Sequence, residues 1–192
     1  MRSWCAQLAL MLAALVAGPA HASELGFICS DCQLHLGVGG TYHYWGSTGG
    51  VVVPFTVTFD RDRYEVGAFR MATGQGFYNP TFRAQVHEAD PYWGFSASRR
   101  WQLIRRRHWQ LLFGFGAAYR SEVDPLTASH LNFAEQLGVR LMPTPGTAVE
   151  LTMRHWSNGG LKLPNRGQDF ATLTFTISPR QFSTLWARSA PD

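Results

Sequence analysis

The stretch Trp109-Gln-Leu-Leu-Phe-Gly-Phe-Gly-Ala-Ala-Tyr119 decides the fold. Trp109, Leu111, Phe113, Phe115, Ala117 and Tyr119 fall on one parity, against Gln110, Gly114, Gly116 and Ala118 on the other. A period of two is that of a β-strand, whose successive side chains point to opposite faces. One face here is apolar with an aromatic at each end, while the other is small or polar, which suits a narrow interior better than a water-facing outside rich in Lys and Glu.

The same alternation recurs on both sides of this segment. Leu34, Leu36, Val38, Gly40, Tyr42 and Tyr44 mark a strand near 33 to 45, opposite His35, Gly37, Gly39, Thr41 and His43. Val51, Val53, Phe55, Val57 and Phe59 mark a second, with Pro54 a weak point because proline has no N–H for the ladder. Tyr64, Val66 and Ala68 open a third, which fades near Gly74. Further strands are expected near 92 to 104, 108 to 120, 129 to 142, 146 to 157 and 168 to 178. Residues 80 to 88 can also pass for a strand, and a ninth would spoil a simple closed barrel. No long 3.6-residue apolar spacing marks a helix.

Connections alternate in length. Short turns fall at 60 to 63, 105 to 107 and 143 to 145, and longer loops at 74 to 91, 121 to 128 and 158 to 167, with 46 to 49 the exception. Eight strands joined in this way predict an all-β protein, an eight-stranded antiparallel up-and-down transmembrane β-barrel spanning residues 23 to 178. Tyr42, Tyr44, Trp45, Trp93, Trp109, Tyr119 and Trp156 lie near strand ends and are expected to form interfacial girdles. A soluble lipid-binding barrel gives similar alternation, and fractionation separates the two.

Residues 1 to 22 have a basic start at Arg2, an apolar stretch from Leu8 to Val16, and Ala20 and Ala22 at an A-x-A site, the form of a cleaved signal peptide. Its removal leaves 170 of the 192 residues, one domain's worth, with 16 Lys and Arg against 13 Asp and Glu. The resulting charge of +3 suits an anionic surface such as lipopolysaccharide, and an exported chain makes nucleic acid an unexpected partner. Cys29 and Cys32 form a C-x-x-C that is either an oxidised pair or two idle thiols. No second cysteine pair exists to complete a zinc site.

Chemistry is concentrated in His155-Trp-Ser-Asn-Gly-Gly-Leu-Lys-Leu-Pro-Asn-Arg-Gly-Gln-Asp169. His155 and Ser157 end one strand and Asp169 opens the next, supplying the three members of an acyl-transfer triad. They share parity with Val149, Leu151, Met153, Leu173, Phe175 and Ile177, so the triad is expected on the apolar face. Two residues along a strand advance it by about 6.6 Å and restore the face, which lets imidazole and hydroxyl lean together. If His155 opposes Asp169 across the hairpin, the same register pairs Leu151 with Leu173 and Val149 with Phe175. Asn158, Gly159 and Gly160 offer backbone N–H groups, and Asn165 a side-chain amide, for an oxyanion. There is no G-x-S-x-G elbow, which excludes an α/β-hydrolase.

Over about 154 to 170 this run resembles the PagL-type lipid A 3-O-deacylases, through the strand-end His-x-Ser-Asn, the Gly-Leu-Lys-x-Pro-Asn loop and the acid that follows. Ser129 to Leu141, SHLNFAEQLGVRL, is similar to that family's preceding strand. The resemblance implies an outer-membrane esterase that removes the 3-O-linked hydroxyacyl chain of lipid A without metal or organic cofactor, its triad facing the outer leaflet. It implies His155 as base, Ser157 as nucleophile and Asp169 as the acid, with Asn158, Gly160 and Asn165 stabilising the oxyanion or shaping the loop. The family's acid is typically glutamate, one methylene longer than Asp169, and its chains tend to end at the last strand, whereas residues 179 to 192 form a tail here.

Lys162 and Arg166 either contact lipid A phosphates or are solvated loop cations. Glu135 has the parity of Leu131, Phe133 and Leu137 and is therefore expected as a charge facing lipid, which calls for a bulge or an interfacial position. A homodimer stays open. The competing reading is a non-enzymatic small barrel serving adhesion, integrity or ligand binding.

Overall fold

The computed structural model describes residues 32–42, 50–73, 75–79, 84–89, 91–123, 127–144, 147–165 and 167–177. Eight strands close on themselves: β1 (Gln33–Tyr42), β2 (Val51–Phe59), β3 (Tyr64–Thr73), β6 (Tyr92–Arg105), β7 (Trp109–Arg120), β8 (Leu131–Thr144), β9 (Thr147–Ser157) and β10 (Gln168–Ile177). Neighbours are antiparallel throughout, and β1 pairs with both β2 and β10, so no edge is left open. The stretch that threatened a ninth strand belongs to a separate hairpin, β4 (Gln75–Asn79) with β5 (Ala84–Ala89), in the long connection between β3 and β6. The barrel count stays even because that hairpin pairs only with itself. The first strand is described only to Tyr42, so the expected extension through His43, Tyr44 and Trp45 lies outside the described residues, as do the signal segment and the tail.

Pro54 leaves a visible mark. The β1–β2 register runs from Gln33↔Thr58 to Leu36↔Phe55 and resumes at Gly39↔Val52, skipping the two positions around the proline, which has no donor to give.

The barrel is apolar outside and largely polar within, the reverse of a water-soluble one. Leu131, Leu137, Val139, Leu141, Leu151, Met153, Leu173 and Phe175 stand exposed in rows. Such a continuous apolar surface matches a hydrocarbon surround, as closed barrels require in membranes. No described helix is long and apolar enough to cross a membrane; this barrel crosses with strands. Trp93, Trp101, Trp109 and Tyr119 lie on the outer surface. Trp156 does not: it is 1% exposed and points into the lumen. Its even number puts it on the inner face between two outward neighbours, and strand parity overrides the general habit of tryptophan at interfaces.

The lumen is filled in two parts. At the short-turn end, Arg100 donates to Glu65 (3.0 Å) and to both oxygens of Glu150 (2.8 and 2.9 Å), Arg140 to Glu150 (2.9 Å) and Asp62 (3.0 Å), and Arg154 to Glu65 (2.7 Å). Three guanidinium groups and three carboxylates are thus buried together, each charge met by opposite charges. At the long-loop end the filling is apolar, with Val52, Phe69, Met71, Tyr92, Ala118, Ala134, Trp156 and Phe170 in one cluster.

Candidate functional site

The site forms where β9 and β10 leave the barrel at the long-loop end. Their register is the expected one: His155 pairs with Asp169, Leu151 with Leu173 and Val149 with Phe175. Directly opposed residues on one face hold their Cβ atoms about 4.5 to 5.5 Å apart. That spacing lets even the shorter aspartate reach, and His155 Nδ1 lies 2.7 Å from Asp169 Oδ1. A carboxylate on Nδ1 fixes the tautomer with the proton there, leaving the Nε2 lone pair as the basic atom.

Ser157 follows two residues on, at the last position of β9, and is half-buried on the same outward face as His155. The structure forms no hydrogen bond between the two side chains, so of the three groups it joins the imidazole to the carboxylate and sets the hydroxyl beside them. Contacts of this kind commonly tighten only when substrate is bound.

Trp156 holds the pair from behind. Its ring meets Phe69 edge-on at 5.3 Å and Phe170 at 5.0 Å. Gly94 makes the space, because a Cβ there would stand 2.5 Å from the Trp156 ring. A tryptophan wedged inward forces residues 155 and 157 outward, and its burial is worth several kcal/mol (Trp→Ala in cores costs about 3–5).

The loop after Ser157 is tied by its own polar groups. Asn158, 2% exposed, accepts from Gly160 N–H through its side-chain oxygen (3.0 Å), donates its amide to Lys162 O (2.7 Å), and gives its backbone N–H to Asn165 Oδ1 (2.9 Å). Gly159 and Gly160 have φ of 64° and 82°, values that favour glycine. Thus the backbone donors of Asn158 and Gly160 serve the loop, and both residues act as its braces. Asn165 turns its oxygen to Asn158, which leaves the Nδ2 amide as the donor that the sequence reading assigned to an oxyanion. Thr127 bridges to Asn165, and Ala128 N–H donates to Pro164 O (3.0 Å), fastening the loop to the segment before β8. Gly167, at φ 70°, packs against the imidazole; a Cβ there would lie 2.5 Å from His155 Cε1 and 3.0 Å from Nε2.

Glu135 finds its explanation here. It is exposed on the outer face, as its parity requires, and pairs with His155 across β8 and β9, so the histidine sits between two acidic neighbours, Asp169 on one strand and Glu135 on the other. Reading the sequence missed this. Counting back from the Thr144–Thr147 pair at the turn misplaces the two by one, because a bulge between Leu141 and Thr144 shifts the register. Only the demand that both residues share the apolar face restores it.

Apart from Glu135 and Lys162, the exposed surface around His155, Ser157 and Asp169 is mainly apolar. Phe133 pairs with Ser157 and stacks on Phe115 at 6.0 Å, while Leu161 and Leu163 in the loop are 83% and 79% exposed. Lys162 is exposed in the same loop; Arg166 lies outside the described residues. Among the described residues no group of three or more His, Cys, Asp or Glu side chains is arranged to hold a metal. Cys32, before β1, is disulfide-bonded.

The family model for lipid A 3-O-deacylase (PagL) matches residues 30–178. Among curated proteins, the lipid A deacylase PagL of Bordetella bronchiseptica is 35% identical over 66 residues, which cover 33% of this chain and 37% of that protein. The aligned part is thus about a third of that relative's length. Among solved structures, the crystal structure of the outer membrane enzyme PagL has the same fold, with a TM-score of 0.56 at 18% identity over 76% of this chain and 99% of that one.

Proposed function

The chain belongs to the lipid A 3-O-deacylase (PagL) family, and on that premise we propose that it hydrolyses the 3-O-linked hydroxyacyl ester of lipid A in the outer membrane, with Ser157 as nucleophile, His155 as base and Asp169 as the orienting acid. The observation that carries the reading is the 2.7 Å contact between His155 Nδ1 and Asp169 on the hydrocarbon-facing surface, with Ser157 next on the same face. Water-soluble esters do not explain a triad on that surface. An acyl chain anchored in a leaflet does.

In the proposed reaction Ser157 Oγ attacks the ester carbonyl and its proton passes to His155 Nε2. The tetrahedral oxyanion is met by the Asn165 Nδ2 amide. Collapse breaks the bond to the sugar oxygen, which takes the proton from His155 and leaves as the free 3-hydroxyl. Water, deprotonated by the same imidazole, then attacks the acyl-serine; the bond to Ser157 Oγ breaks, the serine takes the proton back from His155, and the hydroxy fatty acid is released. Asp169 keeps the ring oriented and balances the charge of the imidazolium in both halves. Phe133, Leu137 and Met153 offer the departing chain an apolar path along the outside of the barrel.

In this reading the long-loop end faces the cell exterior, residues 1–22 are removed on export, residues 23–178 form the barrel and residues 179–192 a tail. The test is incubation of purified protein with lipopolysaccharide and mass spectrometry of the lipid A product. Loss of one hydroxyacyl chain is expected, and Ser157→Ala should lower the rate by more than about 1,000-fold. A Ser157→Ala protein of undiminished rate would remove the serine from the mechanism.

A further inference from the structure

The rim opposite the site carries a basic groove that the esterase reading does not use. Beside the β2–β3 turn, β6 runs on past β3, with which it pairs only as far as Tyr64↔Arg99: Arg100 N–H donates to Arg63 O, and residues 101–109 are all exposed. Between the turn and the protruding strand lies a cavity of about 340 Å³, lined by Arg61, Arg63, Arg99, Trp101, Gln102 and Arg105. Its deep side is formed by Asp62 and Arg100.

Arginine dominates the lining of this groove, and the acid on its deep side faces away from it. Asp62 is 4% exposed and turned to the lumen, where Arg140 and Arg100 hold it at 2.9 and 3.3 Å. Asp60 meets Arg63 only loosely, at 3.6 Å between two exposed side chains. The turn itself is unusual, since Asp60, Arg61 and Asp62 have successive φ values of 50°, 55° and 70° without a glycine. Anchoring Asp62 inward holds that backbone, and it leaves Arg61 and Arg63 exposed on either side.

Arg99 gives the groove its direction. It stands on the lipid-facing parity of β6, between Tyr64 on β3 and Phe115 on β7, with its guanidinium 5.2 Å over the ring of Trp101. Trp101 in turn stacks on Phe113 at 5.8 Å. A guanidinium among aromatics at the edge of an apolar belt is at home where headgroup phosphates begin, and Arg matches phosphate oxygens with a two-pronged fork.

We propose that this groove binds the phosphate headgroup of an anionic phospholipid from the leaflet opposite the one that presents lipid A, the lipid's acyl chains lying along the Trp101 side of the barrel. The proposal rests on the membrane orientation given above and not on the esterase chemistry, so the two fail separately. The experiment is native mass spectrometry of the full chain, folded in non-ionic detergent, with equal amounts of a phosphatidylglycerol and a phosphatidylcholine of matched chains. Retention of phosphatidylglycerol about tenfold above phosphatidylcholine is expected. Arg99→Gln with Arg105→Gln should bring the two lipids to parity, whereas Arg106→Gln with Arg107→Gln, which removes the same charge outside the groove, should keep the preference. Arg99→Lys, which keeps charge but loses the fork, should fall between. Equal retention of both lipids by the unaltered chain, equal loss in both double variants, or release of the lipid by millimolar inorganic phosphate would overturn the proposal. Heat-modifiable mobility on gels reports that each variant is folded, and lipid A deacylation in detergent is read in parallel and should be unchanged.

Discussion

The two halves of the lumen solve the same problem with different forces. Toward the short turns, Asp62, Glu65 and Glu150 lock Arg100, Arg140 and Arg154 in a buried network of directional charge pairs. Toward the long loops, Phe69, Tyr92, Trp156 and Phe170 fill the bore with aromatic surface. The charged half makes no side-chain hydrogen bond to His155, Ser157 or Asp169 and reaches toward them only through Arg154, which lies over Phe69, whereas the aromatic half lies directly beneath them. Trp156 belongs to that half and sits between His155 and Ser157, so packing inside the bore sets where the outward groups stand. Cost and consequence therefore separate: damage to the charged half should appear as lost stability, and damage to the aromatic half as lost stability and lost rate together.

The largest expected effect lies at the outer face itself. Asp169→Asn keeps the shape of the side chain but no longer holds the imidazole in its Nδ1–H form, and the deacylation rate should fall by about 10,000-fold with the urea midpoint nearly unmoved. A rate within tenfold of the unaltered protein would show that Asp169 does not orient His155.

Next comes Glu150→Gln, which leaves two arginines facing a neutral group in a closed space. A loss of about 3–5 kcal/mol is expected in urea unfolding of the detergent-folded barrel, with the rate per folded molecule unchanged. Trp156→Ala should cost a similar amount, about 3–5 kcal/mol, and also slow deacylation by at least about tenfold, because the strand end that carries His155 and Ser157 loses its anchor. If both substitutions lowered the rate equally, the division between the halves would be broken.

The finest comparison uses one substitution in two places. Gly94→Ala puts a Cβ 2.5 Å from the Trp156 ring and should cost about 1–3 kcal/mol. Gly138→Ala, in the charged half, meets Thr152 Oγ1 at 3.2 Å and Glu150 at 3.5 Å, contacts that a small shift of the Thr152 side chain relieves, and should stay within about 0.5 kcal/mol. Thermal melts of the pair decide it, and equal shifts would contradict the reading.

Much of this molecule was legible in its residues, and the misreadings are instructive. Alternation gave the faces of His155, Ser157 and Asp169, and with them the β9–β10 register, since a slip of one would have turned Leu151 and Leu173 inward. The same rule, applied to Trp156, already placed it inside, but its position near a strand end suggested an interfacial girdle. Within the segment 80 to 88, strand is present from Ala84 onward, and only its pairing partner decided whether it entered the barrel. Asn158 and Gly160 read either as oxyanion donors or as shapers of the loop, and sequence did not choose between them; the folded loop uses their N–H groups itself.

By itself, then, the sequence determined the period, the inside and outside of each strand, and the chemical identity of the three groups at the end of β9 and the start of β10, because those are properties of neighbours one or two residues apart. Tertiary structure alone decided that Glu135 flanks His155 across a bulged hairpin, that Gly94 hollows a seat for Trp156, and that carboxylates from the β2–β3 turn, β3 and β9 meet arginines from β6, β8 and β9 in one bore. Those contacts join residues far apart along the chain, and no local pattern encodes a distance that exists only once the cylinder has closed.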